Sequence, residues 1–266
     1  MITDVAVVSS LMDFAHKLAD RSGYVIHPYF RRSIAVDNKA EHGAFDPVTE
    51  ADRAAEAAMR ELIIAEYPDH GILGEEFDNR EANGPFSWTL DPIDGTRSFM
   101  IGLPAWGTLI GLSHNGEPTL GVMDQPHIGE RFWGTGTAAY YRHASGERST
   151  LKTRACPSLG DAILAATAPD MFKGNEEERF AALSAQVRMT RFGGDCYLYC
   201  LLAMGLIDIV AEASLKPFDI APLLPIIRAA GGVVTTWEGE DPSLGGRILA
   251  AGDPALHAKA LQAIAK

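Results

Sequence analysis

Residues 88–99 read Trp88-Thr89-Leu90-Asp91-Pro92-Ile93-Asp94-Gly95-Thr96-Arg97-Ser98-Phe99, WTLDPIDGTRSF, an apolar run that ends in two aspartates. Pro92 has no backbone donor and biases Asp91 toward an extended conformation, so the pattern predicts a strand over 86–90 that stops there. Asp94-Gly95-Thr96 then turns toward a helix whose first N–H groups face the same space. Carboxylates beside a glycine turn that opens a helix bring cation and anion chemistry into one pocket. The Thr96 hydroxyl adds a group that accepts from one partner while donating to a carboxylate.

Three more segments place acids at the ends of expected elements: Asp46-Pro47-Val48-Thr49-Glu50-Ala51-Asp52, Gly74-Glu75-Glu76 and Phe218-Asp219. Each alone has a plain reading. Asp52 completes a helix cap, Glu75 is loop surface, and Asp219 suits a helix N-terminus. Together they read differently, because Asp91 and Asp219 follow apolar or aromatic residues that draw them inward. Two unit charges about 4 Å apart repel by about 4 kcal/mol at an effective dielectric of about 20, so converging carboxylates require protons or a cation. Oxygen donors without histidine or cysteine select hard ions, and DPIDGTRSFMIG lacks the alternating acids of a calcium loop. Mg²⁺ is the expected ion, with Mn²⁺ as the variant.

The chain has 266 residues, 47% apolar and 22% charged, enough for a large core and too apolar for disorder. Its net charge of −12, from 35 acidic and 23 basic side chains, argues against nucleic acid and anionic membrane as partners. A phosphate ester still fits, provided a bound metal supplies local positive charge. Three cysteines, Cys156, Cys196 and Cys200, form no disulfide-dense pattern, and Cys196 and Cys200 read as a packed helix face. With no signal peptide and no apolar run of membrane length, a cytoplasmic protein is expected.

Periodicity predicts a helix capped by Thr3 and running to about residue 30, and a second from Thr49 to Glu66 stopped by Pro68. Strands follow at 71–73, 106–113 and 120–123, the last two joined by an Asn115-Gly116 hairpin, then at 130–133 and 138–142. From about residue 150 strands and helices alternate: strands at 162–166, 188–192, 208–212, 232–235 and 247–251, and helices at 176–186, 195–204, 219–230 and from Pro254. That alternation predicts a layered sheet-and-helix second half. Trp106 reads as core, and Lys39 as a solvated lysine or a neighbour of the site.

GEE, then DPIDGT, then an aspartate ahead of an apolar helix ending in AAGG, is similar to the inositol monophosphatase family of metal-dependent phosphatases. The resemblance runs from DPVTEAD to FDIAPLLPIIRAAGG, nearly the whole chain. DPVTEADRAAE, DGTRSF, LPAWGTLIGL and GGDCYLYCLLAMGLIDIV most resemble its histidinol-phosphate phosphatase branch. The resemblance implies an α/β (α+β) fold, the αβαβα sandwich of the inositol monophosphatase and fructose-1,6-bisphosphatase type. It also implies two parts, 1–145 with most metal ligands and 146–266 with Asp219 and the substrate side, and a homodimer.

Carried over residue by residue, the resemblance implies two or three Mg²⁺ ions held by Glu75, Asp91, Asp94, Asp219 and the Ile93 carbonyl. Gly95 and Thr96 receive the phosphate, Asp52 and Thr96 orient the attacking water beside Glu75, and Glu212 touches the alcohol portion. Gly193-Gly194-Asp195 departs from the inositol-specific pattern, and Phe218 replaces a common tryptophan. The implied reaction is hydrolysis of histidinol phosphate, a step of histidine biosynthesis. Inositol 1-phosphate or another sugar phosphate is the alternative, and a non-catalytic metal- and phosphate-binding protein the more distant one. Histidinol phosphate carries an ammonium and an imidazole, for which Asp195 and Glu212 are the candidate acceptors. Their plain readings are a helix cap and an exposed strand-end acid. Arg97 is a candidate for the phosphate, for a neighbouring acid or for a subunit interface.

Overall fold

The computed structural model describes residues 5–32, 36–38 and 47–265. Thr3, Lys39 and Asp46, named above, lie outside them. Helix α1 (Val5–Ile26) buries Leu11, Phe14, Leu18 and Ile26, and α2 (Glu50–Glu66) buries Ala51, Ala55, Met59 and Ile63, both at helical spacing. Between them β1 (Val36–Asn38) and β2 (Pro47–Thr49) form a small antiparallel pair.

Seven strands build the first sheet in chain order: β3 (Gly71–Gly74), β4 (Phe86–Asp94), β5 (Gly107–His114), β6 (Glu117–Gln125), β7 (Glu130–Gly134), β8 (Ala139–Arg142) and β9 (Arg148–Thr150). Only β3–β4 is a parallel pair. The β5–β6 hairpin turns on Asn115 and Gly116, with φ of 53° and 83°, the left-handed pair that an Asn-Gly turn supplies cheaply. A short helix α3 (Thr96–Met100) follows β4.

The second sheet is mixed. It contains β10 (Ile163–Ala166), β11 (Met189–Phe192), β12 (Ile209–Leu215), β13 (Val233–Thr236) and β14 (Gly246–Ala251) in the order β11-β10-β12-β14-β13. Helices α4 (Asn175–Ser184), α5 (Tyr197–Ala203), α6 (Pro217–Ile220), α7 (Leu224–Ala229) and α8 (Pro254–Ile264) alternate with these strands. The single helix expected over 219–230 is therefore two. Pro222 and Pro225 remove two successive-turn donors, and the chain breaks between α6 and α7.

Period-two alternation sorts the strand side chains into layers. Trp88, Leu90, Ile110, Leu112 and Val122 face α1 and α2. Leu109, Met123 and Phe132 on the other face pack with α5, α7 and the inner residues Val210, Ile248 and Ala250 of the second sheet. Leu164, Ile209, Ala211 and Leu249 face outward onto Phe180 and Leu183 of α4 and Leu256 and Ala260 of α8. The result is the expected αβαβα sandwich.

Candidate active site

The expected strand end at Pro92 is corrected by the structure, because β4 continues to Asp94 with an irregularity between Asp91 and Asp94. Proline is tolerated there because β3 pairs with β4 only as far as Leu90, so beyond it β4 is an edge. The freed Pro92 carbonyl accepts from the buried Thr108 hydroxyl at 2.8 Å. This kink re-aims the chain so that Asp91 and Asp94 both face the middle helical layer. Gly95, with φ 87°, then turns into α3, and a Cβ there would lie 2.9 Å from the Asp195 carboxyl carbon, so only glycine fits.

Asp219 reaches the same place from the second half of the chain. Gly111, Gly121 and Gly134 stand in register across β5, β6 and β7. They form a side-chain-free row on which the α6–α7 segment lies, since a Cβ at Gly121 would be 1.8 Å from the Pro222 oxygen and one at Gly134 2.5 Å from the Pro225 oxygen. That close approach sets α6 against β4 and β5. Carboxylate oxygens of Asp91, Asp94 and Asp219 consequently lie within 4.8 Å of one another. Glu75, whose amide donates to the Leu90 carbonyl at 3.2 Å, hydrogen-bonds the Asp91 side chain.

The cluster is electrostatically strained. Burial, then Glu75, Asp94 and Asp219, push Asp91 well above the usual carboxylate range. Burial and the neighbouring Asp195 and Asp219 do the same to Asp94, against the Cys196 amide that donates to it at 2.7 Å. Burial, with Glu75 and Glu212, carries Asp219 up to about 7, although the Lys216 amide donates to it. The buried Asp91 Oδ1 has no hydrogen-bond partner. An orphaned carboxylate oxygen among repelling acids, with no nitrogen or sulfur ligand in the set, fits a hard divalent cation. Asp91, Asp94 and Asp219 could hold one, with Glu75 beside them.

Thr96 donates its hydroxyl to the Ile93 carbonyl at 3.1 Å, which leaves its oxygen free to accept. Asp52 is buried, and its Oδ2 accepts from the Thr49 amide at 2.9 Å and hydroxyl at 2.5 Å, so its capping role is real. Glu212 is not the exposed acid of its plain reading. Alternation along β12 puts it on the inner face with Val210, 2% exposed, where it accepts from the Thr167 amide at 2.7 Å and the Tyr199 hydroxyl at 2.9 Å. Burial raises Glu212 to about 6, less than it would without those two donors. Asp195 is not a side-chain cap: its carboxylate accepts from Ser98 Oγ at 2.8 Å.

Asp94, Asp195, Tyr199, Glu212 and Asp219 line one cavity of about 90 Å³. Arg97 lies at the surface, where its guanidinium stands 3.4 Å from the Asp170 carboxylate. Trp106 and Cys200 of α5 are core, as is Cys196, which stands just ahead of α5 rather than within it. Sequence reasoning passed over Thr167, Tyr199 and the glycine row. The only available signal was glycine recurring in strands that otherwise read as apolar.

A sequence model described as the inositol monophosphatase family matches residues 8–266. The chain is 39% identical over 258 residues to the bifunctional phosphatase IMPL2, chloroplastic, of Arabidopsis thaliana, covering 93% of this chain and 72% of that protein. It is 34% identical over 236 residues to a histidinol-phosphatase of Mycobacterium tuberculosis, covering 88% and 90%. Among solved structures, an inositol monophosphatase from Zymomonas mobilis matches with a TM-score of 0.85 at 40% identity, covering 97% of this chain and 98% of that one.

Proposed function

This chain belongs to the inositol monophosphatase family, and from that premise we propose that it is a Mg²⁺-dependent phosphomonoesterase that converts histidinol phosphate to histidinol and phosphate. The observation that carries the reading is the trio of buried Asp91 and half-buried Asp94 and Asp219 within 4.8 Å, with an unpartnered Asp91 oxygen. Such a trio is costly unless a cation is its purpose. Glu75, Asp91, Asp94, Asp219 and the Ile93 carbonyl hold the ions, and Gly95 and Thr96 receive the phosphate. Bound divalent ions supply charge to phosphoryl oxygens and lower the pKa of water.

The chain's own groups do the positioning. Because the Thr96 hydroxyl proton is spent on the Ile93 carbonyl, its oxygen is left as an acceptor for the attacking water, with Asp52 and Glu75 as neighbouring acids. Glu212 and Asp195 line the cavity beside Asp94, and each carboxylate oxygen keeps a lone pair after its present bond. They form an acceptor pair for the ammonium and imidazole of histidinol phosphate. Arg97, tied to Asp170, contributes at the rim. The three free cysteines agree with a reducing, cytoplasmic setting.

The histidinol-phosphatase names of several relatives support this substrate. The 40% identity to the Zymomonas mobilis inositol monophosphatase favours inositol 1-phosphate as the second reading. Initial rates of phosphate release with Mg²⁺ from histidinol phosphate, inositol 1-phosphate, fructose 1,6-bisphosphate and 3′-phosphoadenosine 5′-phosphate separate them. The highest kcat/KM is expected for histidinol phosphate, and a preference for inositol 1-phosphate would replace it with the second reading.

A further inference from the structure

Glu56, one turn after Asp52 in α2, is wholly buried and far in sequence from the acids on β4 and α6. Its Oε1 accepts from Arg60 Nε at 2.7 Å, one helical turn on, and its Oε2 accepts from the Glu76 amide at 2.8 Å. The Phe77 amide also donates to it. Arg60 completes the grip, donating to the carbonyls of Asp78 at 3.0 Å and Phe77 at 3.1 Å. On the other flank, a Cβ at Gly74 would stand 1.9 Å from Glu56 Oε1, so the turn closes directly onto the carboxylate.

Glu75 lies between these two points of attachment. Its own amide is fixed to Leu90 of β4, and its side chain meets Asp91. A buried carboxylate is expensive unless every lone pair is used, and here its partners are donors from one turn and one arginine. A well-packed apolar residue would suit the α2 face equally for stability alone. We propose that the Glu56–Arg60 pair is a positioning device that fixes the 74–78 turn so that Glu75 stands beside Asp91 in register for a divalent cation, without touching cation or substrate. The inference rests on Glu75 being a cation ligand, as read above.

The test is Mn²⁺ binding to chelator-stripped full-length protein, followed by the paramagnetic resonance signal of free Mn²⁺, together with hydrogen exchange of the 74–78 amides. Glu56→Gln keeps the volume but turns an amide NH₂ toward donors. Gly74→Ala pushes on the carboxylate from the other side, and Arg60→Met removes the carbonyl ties at a partly exposed position. Outer-shell changes of this kind weaken metal affinity by about 10–100-fold. That loss is expected in all three variants, with faster exchange over 75–78 and with kcat recovering at saturating Mg²⁺. If folded Glu56→Gln binds Mn²⁺ as the wild type does, even with a lower melting temperature, the clamp is only structural and the inference fails. Should Glu56→Gln not fold, Arg60→Met and Gly74→Ala decide it by the same measurement. A wild type that binds no Mn²⁺ instead overturns the metal reading itself.

Discussion

Asp94→Asn should make the chelator-treated protein more stable while silencing it. Carboxylate oxygens of Asp91, Asp94 and Asp219 lie within 4.8 Å, where two unit charges repel by about 3.5 kcal/mol at an effective dielectric of about 20. Burial and mutual repulsion keep a share of protons on the cluster, so at pH 8 the substitution relieves on the order of one such repulsion. The asparagine oxygen can still accept the Cys196 amide that Asp94 now holds at 2.7 Å, so no donor is orphaned. Urea denaturation in EDTA should therefore show a gain of about 2–3 kcal/mol at pH 8.

The sign with pH follows from the same groups. An acid whose folded pKa exceeds its unfolded value stabilises the fold most below the unfolded value, and that stability is lost as pH rises to the folded one. For Asp219 the window runs from about 4 to about 7. The metal-free wild type should weaken across it, and the advantage of Asp94→Asn should shrink toward pH 5. With Mg²⁺ present the order should reverse, because only the wild type gains binding energy. An Asp94→Asn protein no more stable than wild type in EDTA at pH 8, or equally favoured at pH 5, would refute the electrostatic account.

Two further outcomes follow from neighbouring contacts. Gly121→Ala puts a methyl 1.8 Å from the Pro222 oxygen, so denaturation should show a loss of about 1–3 kcal/mol, with weaker Mg²⁺ activation as Asp219 is displaced. Glu212→Gln should raise KM for histidinol phosphate by about 10–100-fold, the value of one charge-assisted hydrogen bond, and leave a generic aryl phosphate unaffected. For the wild type, KM for histidinol phosphate should rise as pH falls through about 6, where Glu212 takes up a proton.

Much of this is legible in the sequence. The helical spacing of Leu11, Phe14 and Leu18, the Asn115-Gly116 turn and the acids of DPIDGT are local signals, and the corresponding elements formed. What sequence could not supply was partnership. The register that lines up Gly111, Gly121 and Gly134 exists only once three strands pair, and only then does their missing Cβ become a seat for Pro222 and Pro225. The plain reading of Glu212 as an exposed strand-end acid stays open beside the substrate-side one in sequence, because nothing near it in the chain reveals Thr167 and Tyr199 as donors. Pro92 misled by the same logic, since its fit inside β4 depends on where the neighbouring strand stops.

The central claim, a metal-dependent phosphomonoesterase built on Asp91, Asp94 and Asp219, is tested most directly by phosphate release from histidinol phosphate by EDTA-stripped protein as Mg²⁺ is returned. The account predicts no turnover at first, saturable recovery with Mg²⁺, and none at any Mg²⁺ concentration for folded Asp94→Asn. Full turnover by the stripped protein, or an Asp94→Asn variant as active as wild type, would contradict it.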